Sequence, residues 1–203
     1  MMLTMLATAA LSFSPGSYLT RSRVLASSSI DMKIGLIYST TTGNTETIAG
    51  YIAAVAPVDG PHDAADISDV SQYDGLIVGA PTWHTGADIE RSGTSWDDWL
   101  YNTLPGLKDA INGKPVACFG VGDQIGYSDN FCDALGELAD CFEGAGAKLV
   151  GFTSPDGYEH TDSKAIRGGQ FCGLACDEDN EADKSEERVN KWIEQLKKEG
   201  MPF

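Results

Sequence analysis

Positive charge is scarce in this chain: 14 Lys and Arg stand against 30 Asp and Glu over 203 residues, a net −16 with a pI near 4.3. That balance excludes a nucleic-acid binder and a protein held on anionic membrane, and suits partners with basic faces. Histidine is scarcer still, at three, and the five cysteines (Cys118, Cys132, Cys141, Cys172, Cys176) contain no Cys-x-x-Cys pair. Cys172 and Cys176 stand four apart with no histidine near enough to complete a zinc set. An odd count in such a pattern reads as buried or free thiols in a reducing compartment.

Acid is missing altogether from residues 1–30, which hold only Arg21 and Arg23 as basic groups and ten Ser or Thr. The apolar run at 2–13 (MLTMLATAALSF) is too short to cross a bilayer. Residues 1–32 therefore read as a targeting segment outside the fold. An apolar run followed by an Arg- and Ser-rich stretch suggests a two-part plastid address, with a plain transit peptide or a secretory signal as alternatives. Without those residues the chain keeps 12 basic and 29 acidic groups, a net −17.

From Lys33 to the end, apolar strands alternate with helical stretches, and no repeat or second domain interrupts them. Strands are expected at Lys33–Tyr38, weakly at His62–Ile67, and at Gly75–Ala80, Pro115–Gly120 and Ala147–Phe152. Helical spacing marks Thr45–Val55, Ser95–Thr103 (Trp96, Trp99, Leu100), Asp129–Gly144 (Leu135, Leu138, Phe142) and Lys184–Glu199 (Val189, Trp192, Ile193, Leu196). Continuous apolar strands of this kind belong to a parallel sheet covered on both faces, hence a single three-layer α/β/α domain over 33–203. Ligands of such sheets bind beyond the carboxyl ends of the strands. Three loops leave those ends.

The first, Ser39-Thr40-Thr41-Thr42-Gly43-Asn44-Thr45, runs from a strand into a helix without a lysine or arginine. A helix start offers unpaired N–H groups and the positive end of the dipole, so neutral donors alone can hold a phosphate. It is no Walker A loop, because the Gly-Lys-Ser/Thr ending is missing. Thr40 or Asn44 as a simple helix cap is the plain alternative. The second loop, Pro81-Thr82-Trp83-His84-Thr85-Gly86, sets a tryptophan just past a strand end, costly unless it covers something apolar. The third, Gly120-Val121-Gly122-Asp123-Gln124-Ile125-Gly126-Tyr127, combines close-approach glycines with a tyrosine. Two aromatics at adjacent strand ends suit a flat ring; core or partner packing is the alternative for each.

Taken together, T-x-T-G-N-T, P-T-W and G-x-G-D-Q-I-G-Y resemble flavodoxin, over about residues 33–200. Thr153–Cys176 resembles the insertion in strand five of the long-chain type, and Ala87–Ser95 the loop of algal flavodoxins. The resemblance implies a five-stranded sheet of order 2-1-3-4-5 and non-covalent FMN. It implies the phosphate on Ser39, Thr40, Thr41, Thr42, Gly43, Asn44 and Thr45, and the isoalloxazine between Trp83 and Tyr127. Pro81, Thr82, His84, Thr85 and Gly86 would line the ring and ribityl, and Val121, Gly122 and Asp123 would meet the pyrimidine edge. Asn130 and Asp179 are weaker members of the set. Asn44 replaces a common lysine, and His84-Thr85 a common Asn-Ile. The His84 carbonyl would accept the N5–H of the flavin after the first electron, and His84 itself either titrates near the ring or faces solvent.

The function implied is a one-electron carrier between photosystem I and ferredoxin–NADP reductase in the chloroplast stroma, replacing ferredoxin when iron is scarce. A monomer docking transiently by charge fits this role. One unit charge about 10 Å away costs an added electron roughly 1.7 kcal/mol at an effective dielectric near 20, so an acidic, cation-free site favours a low potential. An FMN-dependent quinone reductase of the same fold is the alternative. A response-regulator module is excluded, since Pro81-Thr82-Trp83 and Ser39-Thr40-Thr41 occupy the places of its acids.

Overall fold

A computed structural model describes residues 32–82 and 93–203. Five parallel positions form the sheet: β1 (Ile34–Tyr38), β2 (Asp59–Asp63), β3 (Gly75–Ala80), β4 (Pro115–Val121) and β5 (Lys148–Val150), in the order β2-β1-β3-β4-β5. Helix α1 (Asn44–Val55) follows β1, α4 (Asp133–Gly144) follows β4, and α5 (Ala182–Lys198) closes the chain. Between β3 and β4, α2 (Trp96–Asp98) continues as a π-helical turn, Trp99–Thr103, and a 3-10 turn, Leu104–Leu107, into α3 (Lys108–Ile111). The helical stretch expected at 95–103 thus runs on to 111.

The period of two along each strand builds the three layers. Leu76, Val78, Val116 and Cys118 face Trp96, Trp99, Leu104, Leu135, Leu138 and Phe142 on one side. Ile34, Leu36, Ile77, Ala117 and Phe119 face Ile48 and Ile52 of α1 and Val189, Trp192, Ile193 and Leu196 of α5 on the other. Both tryptophans of the α2 region use their indole N–H as well as their bulk, Trp96 donating to Gly79 O at 2.7 Å and Trp99 to Ile67 O at 2.6 Å.

Strand boundaries shift where side chains compete with the ladder. The second strand is not His62–Ile67 but Asp59–Asp63; Asp63 ends it by accepting the Ala65 N–H at 2.8 Å and starting a 3-10 turn at Ala64–Asp66. Its Pro61 is tolerated because β2 is an edge strand. Strand five is shorter than Ala147–Phe152, since Gly151 turns at φ +83°. The helix expected from Asp129 is broken: a 3-10 turn, Ser128–Asn130, precedes Cys132 in the left-handed region at φ 54°, and α4 starts after it.

The insertion divides the edge strand. β5 pairs with Pro115–Ala117, and β8 (Leu174–Cys176) takes up the same edge of β4 at Phe119–Val121. Between them lie a small hairpin, β6 (Ile166–Arg167) and β7 (Gln170–Phe171), and the rings of Tyr158, His160 and Phe171, which cluster with Phe131. All five cysteines are free thiols, four of them buried. Burial raises the thiol pKa of Cys118 and Cys132 well above the ordinary range and that of Cys176 to about 12, which makes them inert packing groups.

Candidate functional site

The loop between β1 and α1 is held by its neighbours at one end and left open at the other. Ser39 is buried, its N–H on Gly79 O at 3.2 Å and its hydroxyl among Ser95 Oγ at 2.8 Å and Asp63 Oδ2 at 3.3 Å. It anchors the loop, and its donors are already used. Thr40 Oγ1 accepts the Gly43 N–H at 3.0 Å, so Thr40 shapes the turn. Gly43 stands at the N-cap with φ +97°, a conformation that side chains resist. No side chain caps α1, and no acceptor among the described residues takes the amide N–H of Asn44, Thr45 or Glu46. Neither Thr40 nor Asn44 therefore acts as the side-chain cap of α1.

Thr45 supplies the sharpest observation. It is fully buried, and its hydroxyl has no hydrogen-bond partner among the described residues. A buried hydroxyl left unpaired costs about 1–3 kcal/mol, a cost relieved by an acceptor placed against the same helix start. Thr41 and Thr42 are exposed beside it. A cluster of neutral donors around an uncapped helix N-terminus fits a phosphate.

The other two loops meet each other. Thr82 donates its hydroxyl to Val121 O at 2.7 Å, joining the end of the second loop to the third, and Pro81 is buried beside it. Trp83, His84, Thr85 and Gly86 lie outside the described residues. In the third loop Gly122 has no room for a side chain: a Cβ there would stand 2.8 Å from Cys132 N. Its N–H donates to Cys176 O at 3.0 Å. The Asp123 carboxylate accepts the N–H groups of Gly126 at 2.7 Å and Ile125 at 3.0 Å. The Gly126 N–H, with the Asn180 amide, holds the carboxyl of Asp123 below the ordinary range against the opposing effect of burial. Asp123 thus shapes the loop with its side chain.

The tip so formed projects two large side chains into solvent, Ile125 at 60% and Tyr127 at 56% exposed. An exposed tyrosine on a loop this well hydrogen-bonded marks a face prepared for a flat apolar ligand or partner. Asn130 turns away to Asp133 Oδ2 at 3.1 Å, which positions the start of α4. Asp179 is exposed on the turn after β8, its N–H on Asp177 Oδ1 at 3.1 Å.

Comparison with known proteins decides the family. The flavodoxin family model matches residues 36–192. The chain belongs to the flavodoxin family. A flavodoxin of Nostoc is 46% identical over 171 residues, covering 82% of this chain and 96% of the relative. One from Synechocystis is 45% identical, covering 81% and 96%, and flavodoxin 1 of Escherichia coli 40%, covering 81% and 93%. Among solved structures, the flavodoxin of Fusobacterium nucleatum bound to flavin mononucleotide matches with TM-score 0.70 and 30% identity, covering 82% of this chain and 98% of that one. Flavodoxins transfer electrons and are not enzymes. The quinone-reductase alternative is accordingly set aside.

The structure also brings forward residues that the motifs do not contain. Asp177 and Asn180, in the turn after β8, bond to Gln124 and Asp123 of the third loop. Tyr158–Lys164 of the insertion straps the same loop: Gln124 Oε1 accepts Glu159 N–H at 2.6 Å, Ser128 O accepts the N–H groups of Thr161 and Asp162, and Phe131 N–H donates to Asp162 O. The acidic D-E-D-N stretch and the buried-sized aromatics of the insertion were their only signal in the chain.

Proposed function

We propose that this flavodoxin carries single electrons on non-covalent FMN between photosystem I and ferredoxin–NADP reductase, replacing ferredoxin under iron shortage. The plastid stroma is the proposed location, a monomer the proposed form, and transient electrostatic docking the proposed mode of contact. When bound, FMN supplies the one-electron chemistry; the chain supplies binding, orientation and charge. Asn44, Thr45 and Glu46 N–H groups with the Thr41, Thr42 and Thr45 hydroxyls would hold the phosphate. Tyr127 would cover one face of the ring, and the Val121–Asp123 backbone would meet its polar edge. The observation that carries the reading is the buried, unpaired Thr45 hydroxyl at an uncapped helix start.

The relation to photosynthetic partners is supported by the cyanobacterial relatives, by the acid-free, Arg- and Ser-bearing first 30 residues, and by the net −16 charge. An anaerobic reductive titration of the chain with FMN, followed by visible absorption, tests the carrier reading. Two resolved one-electron steps are expected. A single two-electron step, with rapid reoxidation by quinone, would return the reductase alternative. Reduction by illuminated photosystem I and turnover with ferredoxin–NADP reductase then test the partners; failure of both overturns that assignment.

A further inference from the structure

We infer that Asp177 is a positioning residue of the flavin site, clamping the 121–127 loop to the turn after β8 and holding a fixed negative charge beside it. Asp177 has no exposed surface. It follows β8, whose last residue, Cys176, lies in register with Val121 and accepts the Gly122 N–H. Its carboxylate therefore sits directly behind the loop that the cofactor reading assigns to the ring, and the inference rests on that reading.

Five donor contacts converge on the carboxylate. Gln124 N–H reaches Oδ2 at 3.1 Å, while Asp179 N–H and Asn180 N–H reach Oδ1 at 3.1 and 3.0 Å. The Asn180 side-chain amide reaches Oδ1 at 3.1 Å and Oδ2 at 2.9 Å, and the same nitrogen is 2.8 Å from Asp123 Oδ1. One amide thus bridges two carboxylates, one of them buried and the other shaping the loop tip that carries Tyr127. Backbone N–H groups and an amide are the donors to Asp177, and no cation is bonded to it among the described residues.

Two effects follow from this arrangement. The loop is set before the ring arrives, because its Gly122 and Gln124 amides are already committed to buried acceptors, which lowers the ordering cost of binding. Neutral dipoles stabilise a buried carboxylate locally without cancelling its charge, so its field opposes negative charge gained by a ring on the other side of the loop. Surface acids act in the same direction but are screened by salt, whereas a buried charge is screened far less.

The discriminating variant is Asp177→Asn, which keeps the shape and removes the charge. Dissociation constants for oxidised and fully reduced FMN, measured at low and high ionic strength, give the potential shift, and amide hydrogen exchange of the FMN-free chain reports the clamp. The preference for reduced over oxidised FMN is expected to rise about tenfold, equivalent to about 30 mV for the two-electron couple, and to persist at high salt. Exchange at Gln124, Ile125 and Gly126 is expected to quicken about tenfold without FMN. An unchanged affinity ratio overturns the charge effect, and unchanged exchange overturns the clamp. If that variant does not fold, Asn180→Ala takes two of the five contacts away and keeps the charge. It should quicken exchange and lower the preference for reduced FMN; no change in either overturns the inference. A wild-type chain that takes up no FMN overturns the cofactor reading and the charge effect with it, while the exchange result still judges the clamp.

Discussion

Single side chains in the first loop divide their labour in a way residue type does not announce. Ser39 and Thr45 both present a buried hydroxyl, yet Ser39 is saturated by Ser95 and Asp63 while Thr45 has no partner. The difference assigns Ser39 to architecture and Thr45 to the ligand. Replacing Thr45 by the isosteric Val should weaken FMN binding roughly 5- to 10-fold, the worth of about 1 kcal/mol or slightly more. The same change should leave the FMN-free chain as stable or more stable, because it deletes an unpaired buried group. Isothermal titration and urea unfolding of the variant measure the two signs separately. A parallel loss of both would mean that the hydroxyl is structural.

Among the elements, the insertion between β5 and β8 has the least visible purpose in the chain and the clearest in space. It carries the strap that hydrogen-bonds Gln124, Ser128 and Phe131, so it braces the tip bearing Tyr127. His160 of that strap lies 5.3 Å from the Phe131 ring and 5.2 Å from the Phe171 ring, with its Nδ1 buried and unpaired among the described residues. Burial lowers its pKa, only partly opposed by Asp162. The folded chain resists a proton that the unfolded chain accepts, so stability falls as pH drops below the ordinary histidine value of about 6.5 and levels off below the folded value. His160→Phe keeps the ring cluster and removes the titration. Urea midpoints at pH 7.5 and 5.5 should therefore separate less in that variant than in the parent; an equal separation would show that His160 contributes nothing to the slope.

For the molecule as a whole, charge is the dominant feature. With a net −16 and a site whose phosphate loop holds no cation, attraction to a basic partner should speed encounter more than it strengthens the complex. Transfer rates to a basic redox partner should fall as ionic strength rises, measurable by stopped-flow between low and physiological salt. A flat salt profile would leave the acidity to solubility alone. Described helices include none long and apolar enough to cross a membrane.

Much of this was legible in the chain because it rests on short-range rules. Alternating strands and helices fixed the layers: Val189, Trp192, Ile193 and Leu196 stand at helical spacing and are all buried against the sheet. The phosphate-type loop was legible because a strand end, a glycine and a helix start are adjacent in sequence. Other features depend on partners distant along the chain. Asp63 ends β2 through a turn and meets Ser39 and Ser95 only after folding. Asp177 stands 53 residues from Gln124 and gained its role when β8 settled on the edge of β4. Local pattern determined that there would be a doubly covered parallel sheet with three loops at one end. Which hydroxyl in those loops is spent on the fold and which is left for a ligand, and which buried carboxylate holds the third loop, was decided by tertiary contacts, because pairing a polar group depends on what lies within 3 Å in space.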